Sequence, residues 1–173
     1  YIITLLWVVG MMNSINMLDN MDAITTIVSI SIVLTIILNL YIIGDMHHPD
    51  VFILIGILAG LIGFLKFNWN PSKMYMGDTG SQFLGIFLAY FGIKYFWNQG
   101  SISGQEIFSK QIISAVLIFS IPIIDTTTVF IKRIRNKKTP FIGGRDHTTH
   151  HMSYLGFSER QVALIYGGIS VVN

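Results

Sequence analysis

From Ala23 to Ile43 the chain runs for 21 residues without a charged side chain. A helix rises about 1.5 Å per residue, so this stretch spans roughly 30 Å, the thickness of a bilayer's hydrocarbon core. Inside that core every backbone N–H and C=O must find its partner within the segment, which makes the run a transmembrane α-helix. Val51 to Leu65 and Gln82 to Ile93 are also free of charge. The 173 residues are 52% hydrophobic and 12% charged, about half the charged fraction of a soluble domain. An all-α, polytopic transmembrane helix bundle of about six spans or part-spans is expected. Nothing in the composition points to nucleic acid, and the absence of cysteine excludes disulfide bonds.

Tyr1 to Met12 reads as the end of a spanning helix, Asn13 to Asp22 as a polar loop, and Ala23 to Ile43 as the first complete span. A turn from Gly44 to Asp50 leads to a span over Val51 to Phe67, then a loop from Asn68 to Gly80 and a span over Ser81 to Trp97. Tyr95, Phe96 and Trp97 form an aromatic end of the kind found at membrane interfaces. After a polar loop, Gln111 to Ile131 is a span interrupted by Pro122 and Asp125. Lys132 to Arg160 is the longest polar stretch, and Gln161 to Asn173 begins another helix. With no initiator methionine and apolar runs at both ends, residues 1–173 are expected to be a single transmembrane domain that is one piece of a longer protein.

Charge decides the orientation. Seven of the eleven Lys and Arg residues are Lys132, Arg133, Arg135, Lys137, Lys138, Arg145 and Arg160, and the positive-inside rule makes their loop cytoplasmic. Walking back span by span puts Asn13 to Asp22, Lys73 to Ser81 and the basic loop on one cytoplasmic face. His47 and His48 fall on the other face and read as surface residues.

Asp78 is the only acid in Lys73 to Ser81 and lies between Gly77 and Gly80. Glycines let a backbone approach a ligand, and Mg2+ is commonly held by one or two carboxylates together with substrate phosphates. The competing reading makes Asp78 the N-cap of a helix starting near Ser81. In the first loop Asn13, Asn16, Asp19 and Asp22 recur every third position. Each such step slips by about 60° on a helix, so a helix end followed by a tight turn suits them better than one helical face. They would contact a sugar, a base or a metal-bound diphosphate; alternatively the asparagines end one helix and Asp22 caps the next. In the basic loop, Arg145 with His147, His150 and His151 fits recognition of phosphate oxygens. His147 and His151 are four apart and would share a helix face, as zinc ligands do, but the helical metalloprotease pattern needs glutamate where this chain has Thr148. A solvated polar loop is the simpler alternative. Asp125 is an intramembrane acid, near enough to the cytoplasmic edge to pair with Lys or Arg.

The segments Asn13 to Asp22, Met76 to Ser81 and the His147, His150, His151 cluster together resemble the polyprenyl-phosphate N-acetylhexosamine-1-phosphate transferases. Pro122 to Thr126 and Arg145 to His151 resemble the GlcNAc-type branch more than the phospho-MurNAc-pentapeptide translocase. The resemblance implies a bacterial inner-membrane enzyme, with its site on the cytoplasmic face, that moves a sugar-1-phosphate from a UDP-sugar to undecaprenyl or another polyprenyl phosphate and releases UMP. It implies that Asp78 binds Mg2+, with Mn2+ as a substitute, and that Asp19 and Asp22 act beside it. Asn13, Asn16, Arg145, His147, His150 and His151 would contact the substrate, and the protein could form a homodimer. The chain departs from the family at Asn20 and Ala23, where glycine is usual, and lacks the paired-aspartate motif of an earlier loop. The alternative outside this family is a secondary transporter or ion channel working through Asp125 in a broken helix.

Overall fold

The computed structural model describes residues 1–97, 108–139 and 147–172. Arg145, expected in the site, lies outside the described residues. All regular structure among the described residues is helical: α1 (Ile2–Leu18), α2 (Ile24–Ile42), α3 (Asp50–Asn68), α4 (Gly77–Gly92), α5 (Phe108–Ile118), α6 (Ser120–Arg135), α7 (Thr148–Tyr154) and α8 (Glu159–Val172). The chain is an all-α membrane-helix bundle. Both α2 and α3 are long and apolar enough to cross a bilayer, and α5 with α6 would make a third span bent by 78°.

Burial ranks the helices. Of the apolar window in α2, 56% is buried, against 22% in α3. The first is the centre of the bundle, with Ile24, Ile32, Ile36 and Leu40 in the core; the second turns Phe52, Ile53 and Ile62 outward. The buried side of α2 also carries Thr25, Thr26 and Ser29, small side chains that let neighbouring helices close in.

The tightest approach is between α1 and α4, which run antiparallel. A Cβ added to Gly85 would lie 2.7 Å from the Met12 Cα and 3.0 Å from the Met11 carbonyl oxygen. Only glycine lets two backbones meet there. The Trp7 indole N–H donates to the Ala89 carbonyl, 3.2 Å away, about one turn toward the other end.

Several boundaries differ from the sequence reading. Helix α1 continues through Asn13 and Asn16 to Leu18, so neither asparagine ends it. Its apolar neighbours Ile15 and Leu18 are fully buried, and this packing carries the helix past the polar residues. Helix α4 begins at Gly77, with Asp78 in its first turn, and its N-cap is Met76; Asp78 is therefore not the cap. Asp22 is not a cap either, because Ala23 holds that position on α2. Basic residues from Lys132 to Arg135 belong to α6 rather than to a loop. Tyr95 and Phe96, read from the sequence as an aromatic end, are buried within the bundle. They sit in a π-helical turn, Ile93–Trp97, where the Tyr95 hydroxyl donates to Asp50 at 2.7 Å and Lys94 pairs with the same carboxylate at 2.5 Å. His47 is exposed as expected, whereas His48 lies 3.6 Å from Asp50 in this brace.

Helix α5 ends at Ile118, four residues before Pro122. Proline removes an N–H and its ring clashes with the carbonyl four residues back, here that of Ile118. Phe119 fills the corner, fully buried, with its ring against Gly92 and 5.3 Å from Trp7.

This alternation collects the ends of α1, α3 and α6 and the starts of α2, α4 and α8 at one end of the bundle. The Asp50 brace marks the opposite end.

Candidate active site

At the collected end, Asn16 points from α1 toward the first turn of α4. Its side-chain amide donates to Asp78 Oδ1 at 3.1 Å and to the Ser81 hydroxyl at 2.8 Å. The Ser81 hydroxyl in turn donates to the Gly77 carbonyl at 3.0 Å. Gly77 has φ +69°, a left-handed conformation that glycine adopts without cost; it turns the incoming loop so that Asp78 opens the helix at the exposed edge. The second carboxylate oxygen of Asp78 accepts no hydrogen bond from a described residue.

Asp19 follows α1 and faces the same space. Burial pushes its carboxyl up to about 6; the negative charges of Asp78 and Asp22 push the same way, and the Thr25 hydroxyl works against them. Three carboxylates therefore share one field. Asp22 is partly committed to structure: one oxygen accepts the Asn70 side-chain amide at 3.1 Å and the Ser72 N–H at 3.0 Å. Asn70 also donates to Glu159 at 2.6 Å, and the Arg160 side chain donates to the Asn70 carbonyl at 2.9 Å. Asn68 completes the scaffold. Its side-chain oxygen accepts from the Ala23 N–H and the Thr26 hydroxyl, and its amide donates to the Met74 carbonyl at 3.0 Å. Asn13, by contrast, donates to the Val9 carbonyl of its own helix at 2.9 Å and is exposed.

The histidines come in on α7. The Thr149 hydroxyl donates to the Asn20 side-chain oxygen at 2.5 Å, which fastens α7 to the turn carrying Asp19 and Asp22. His147 immediately precedes the helix, is buried, and places Nδ1 2.8 Å from Asp125 Oδ2. His151 Nε2 lies 2.7 Å from the Lys132 amine. Both histidines thus turn toward α6, although His147 is the extended N-cap of α7 and not, as the spacing suggested, part of one helix face with His151. His150 is half-buried beside His147. Asp125 pairs with His147 and Thr148, not with Lys or Arg as the sequence suggested. The reason is packing: α7 folds back over α6 and brings its N-terminus onto the acid.

Sequence reasoning missed Asn20, Asn68, Asn70, Ser81, Thr148, Thr149, Glu159 and Tyr166. Asn68 carried a signal, a polar side chain at the end of an apolar run. The others touch residues far away in sequence, as Asn70 does with Glu159 89 positions on.

Among the described residues no group of three or more His, Asp or Glu side chains forms a ready-made metal cage. Mg2+ does not require one, since it keeps waters and takes ligands from substrate phosphates. Asp78 fits that mode, with an exposed carboxylate held by Asn16 through one oxygen and two further carboxylates close by.

A sequence profile of glycosyl transferase family 4 matches residues 1–96. A probable undecaprenyl-phosphate N-acetylglucosaminyl 1-phosphate transferase of Bacillus subtilis (strain 168) is 33% identical over 168 residues, covering 95% of this chain and 44% of the relative. A phospho-N-acetylmuramoyl-pentapeptide-transferase of Listeria monocytogenes serovar 1/2a is 30% identical over 176 residues, covering 99% of this chain and 48% of the relative. A decaprenyl-phosphate N-acetylglucosaminephosphotransferase of Mycobacterium leprae is 25% identical, covering 99% of this chain and 46% of the relative. The chain spans about half the length of the curated relatives it matches.

Proposed function

Because the chain belongs to glycosyl transferase family 4, we propose that the whole protein transfers a sugar-1-phosphate, and specifically GlcNAc-1-phosphate, from a UDP-sugar to polyprenyl phosphate. The observation that carries this reading is the convergence of Asp19, Asp22 and Asp78 at one end of a membrane bundle. A water-soluble donor and a lipid acceptor meet at such an edge. The relatives' names support the reaction class, and the Bacillus subtilis relative supports the GlcNAc donor.

In this mechanism an oxygen of the lipid phosphate attacks the β-phosphorus of the donor. The bond from that phosphorus to the oxygen bridging the two phosphates breaks, and UMP leaves with that oxygen. Mg2+, or Mn2+ in its place, supplies charge neutralisation on the diphosphate when bound. Asp78 is the residue that would hold it, oriented by Asn16. Asp19 and Asp22 would complete the negative field that attracts the cation, while Asp22 also holds the loop from Asn70 to Ser72 in place. His147, His150 and His151, with Arg145, would contact the phosphates or sugar. The site would face the cytoplasm of a bacterial inner membrane, in line with the basic residues at its end of the bundle.

The transporter alternative loses its main support, since Asp125 is enclosed by protein partners. The test is lipid-dependent UMP release by the full-length protein in detergent with Mg2+, across a panel of UDP-sugars. UDP-GlcNAc is expected to be preferred over UDP-MurNAc-pentapeptide, and Asp78→Asn to lower the rate by roughly 100-fold or more. UMP release that is unchanged in a folded Asp78→Asn protein would remove the metal role; no release from any UDP-sugar would remove the reaction class.

A further inference from the structure

Asp125 is 1% exposed and belongs to none of the groups assigned above to substrate or metal. Its carboxylate is nevertheless saturated with donors. His147 Nδ1 lies 2.8 Å from Oδ2, while the Thr148 N–H at 2.8 Å and the Thr148 hydroxyl at 2.5 Å both donate to Oδ1. The Thr148 hydroxyl also contacts the Tyr166 hydroxyl on α8. One side chain thereby joins α6, α7 and α8.

Capping α7 does not require this arrangement. A serine, threonine or asparagine at the cap position satisfies the first N–H groups of a helix, without the several kcal/mol that burying a carboxylate costs. What the carboxylate adds is control of the imidazole. It can only accept, so Nδ1 must carry the hydrogen, and Nε2 is the nitrogen left for other chemistry. Among the described residues Nε2 has no hydrogen-bond partner, and the His147 side chain keeps 7% of its surface exposed. The ring is thus fixed on its Nδ1 edge, with Nε2 engaged by no described residue.

We propose that Asp125 is a positioning residue. It locks His147 with the proton on Nδ1 and presents Nε2 to the polar groups of the bound nucleotide-sugar. The substrate side of this proposal rests on the transferase reading above; the tautomer does not. Removing the charge is expected to leave the fold in place and release the ring.

Two measurements on the full-length protein in nanodiscs test it. The first is the 15N spectrum of selectively labelled histidine, assigned by comparison with His147→Gln. Wild type and Tyr166→Phe should show His147 with hydrogen on Nδ1, and Asp125→Asn should show a shift toward Nε2–H or a mixture. A spectrum unchanged in Asp125→Asn overturns the proposal. The second is steady-state kinetics with UDP-GlcNAc. Asp125→Asn should lower kcat/KM by roughly 10- to 100-fold, the usual effect of removing a partner that orients a functional histidine. His147→Gln added to Asp125→Asn should then cost little more, because residues acting as one unit are not additive. Losses that multiply overturn the positioning role. If wild-type protein releases no UMP, the transferase reading fails, and the 15N comparison still decides the state of His147.

Discussion

At the scale of single residues, Asp19 shows what the site costs the protein. Its carboxyl is raised to about 6 from an ordinary 3.8, mainly by burial and then by Asp78 and Asp22. The folded protein therefore holds that proton more tightly than the unfolded chain does. The resulting stabilisation is complete below pH 3.8 and is lost as the pH rises through about 6. In EDTA, Asp19→Asn is expected to gain roughly 1–2 kcal/mol at pH 7.5, discounted for partial solvent exposure, and much less at pH 4.5. Thermal unfolding in detergent at the two pH values checks this, and equal gains at both would contradict it. Ala23 presents a different balance. Its φ of +66° is a left-handed conformation costing an L-residue about 1–2 kcal/mol. Glycine would relieve that strain, but it would forfeit a buried methyl worth about 0.8 kcal/mol and roughly 0.5–1 kcal/mol of backbone entropy. Ala23→Gly should consequently change stability by less than about 1 kcal/mol, so alanine can stand where the family usually has glycine. Ala23→Val, β-branched and crowded at 1% exposure, should lose roughly 2–3 kcal/mol in the same assay.

At the scale of elements, the register of α1 against α4 sets the site. Gly85 lies seven residues after Asp78, and Met12 four before Asn16, so the glycine contact and the Asn16–Asp78 hydrogen bond belong to the same pair of helices. A methyl at Gly85 meets backbone atoms, which cannot rotate away. Gly85→Ala is therefore expected to separate the helices, cost about 1–3 kcal/mol and weaken UMP release. A melting temperature and activity equal to wild type would show that the helices tolerate the extra volume. Proline acts through the same logic at the α5–α6 corner. Pro122 dictates that the helix breaks, and Phe119 wedged against Gly92 and Trp7 decides how the corner packs.

For the whole molecule, the two ends of the bundle have opposite chemistry. The Asp78 end gathers acids, amides and histidines; the other end closes on the Asp50, Lys94 and Tyr95 brace. The natural absence of cysteine makes this testable by single substitutions. His47→Cys should react with an impermeant maleimide in intact cells, and Lys73→Cys only after permeabilisation, since both side chains are exposed at opposite ends. Labelling of both from the same side would refute the alternation of spans.

Membrane character, helical class and the grouping of three polar segments at one end were determined by the sequence itself. A bilayer admits few structures, and a charge-free run of 21 residues leaves little choice. Asp19, Asp22, Asp78 and the histidines could be named because polar residues flanking such runs are conspicuous. Tertiary structure alone decided how they are held. Asn16 on Asp78 spans 62 positions, Thr149 on Asn20 spans 129, and Asp125 on His147 depends on α7 folding back over α6. Helix limits were decided the same way: burial of Ile15 and Leu18 carries α1 past its polar residues, where local preference would have ended it. Periodicity reports what each segment prefers on its own. Which distant donors meet which carboxylates depends on helix register, and that is fixed only when residues such as Gly85 and Phe119 find their neighbours.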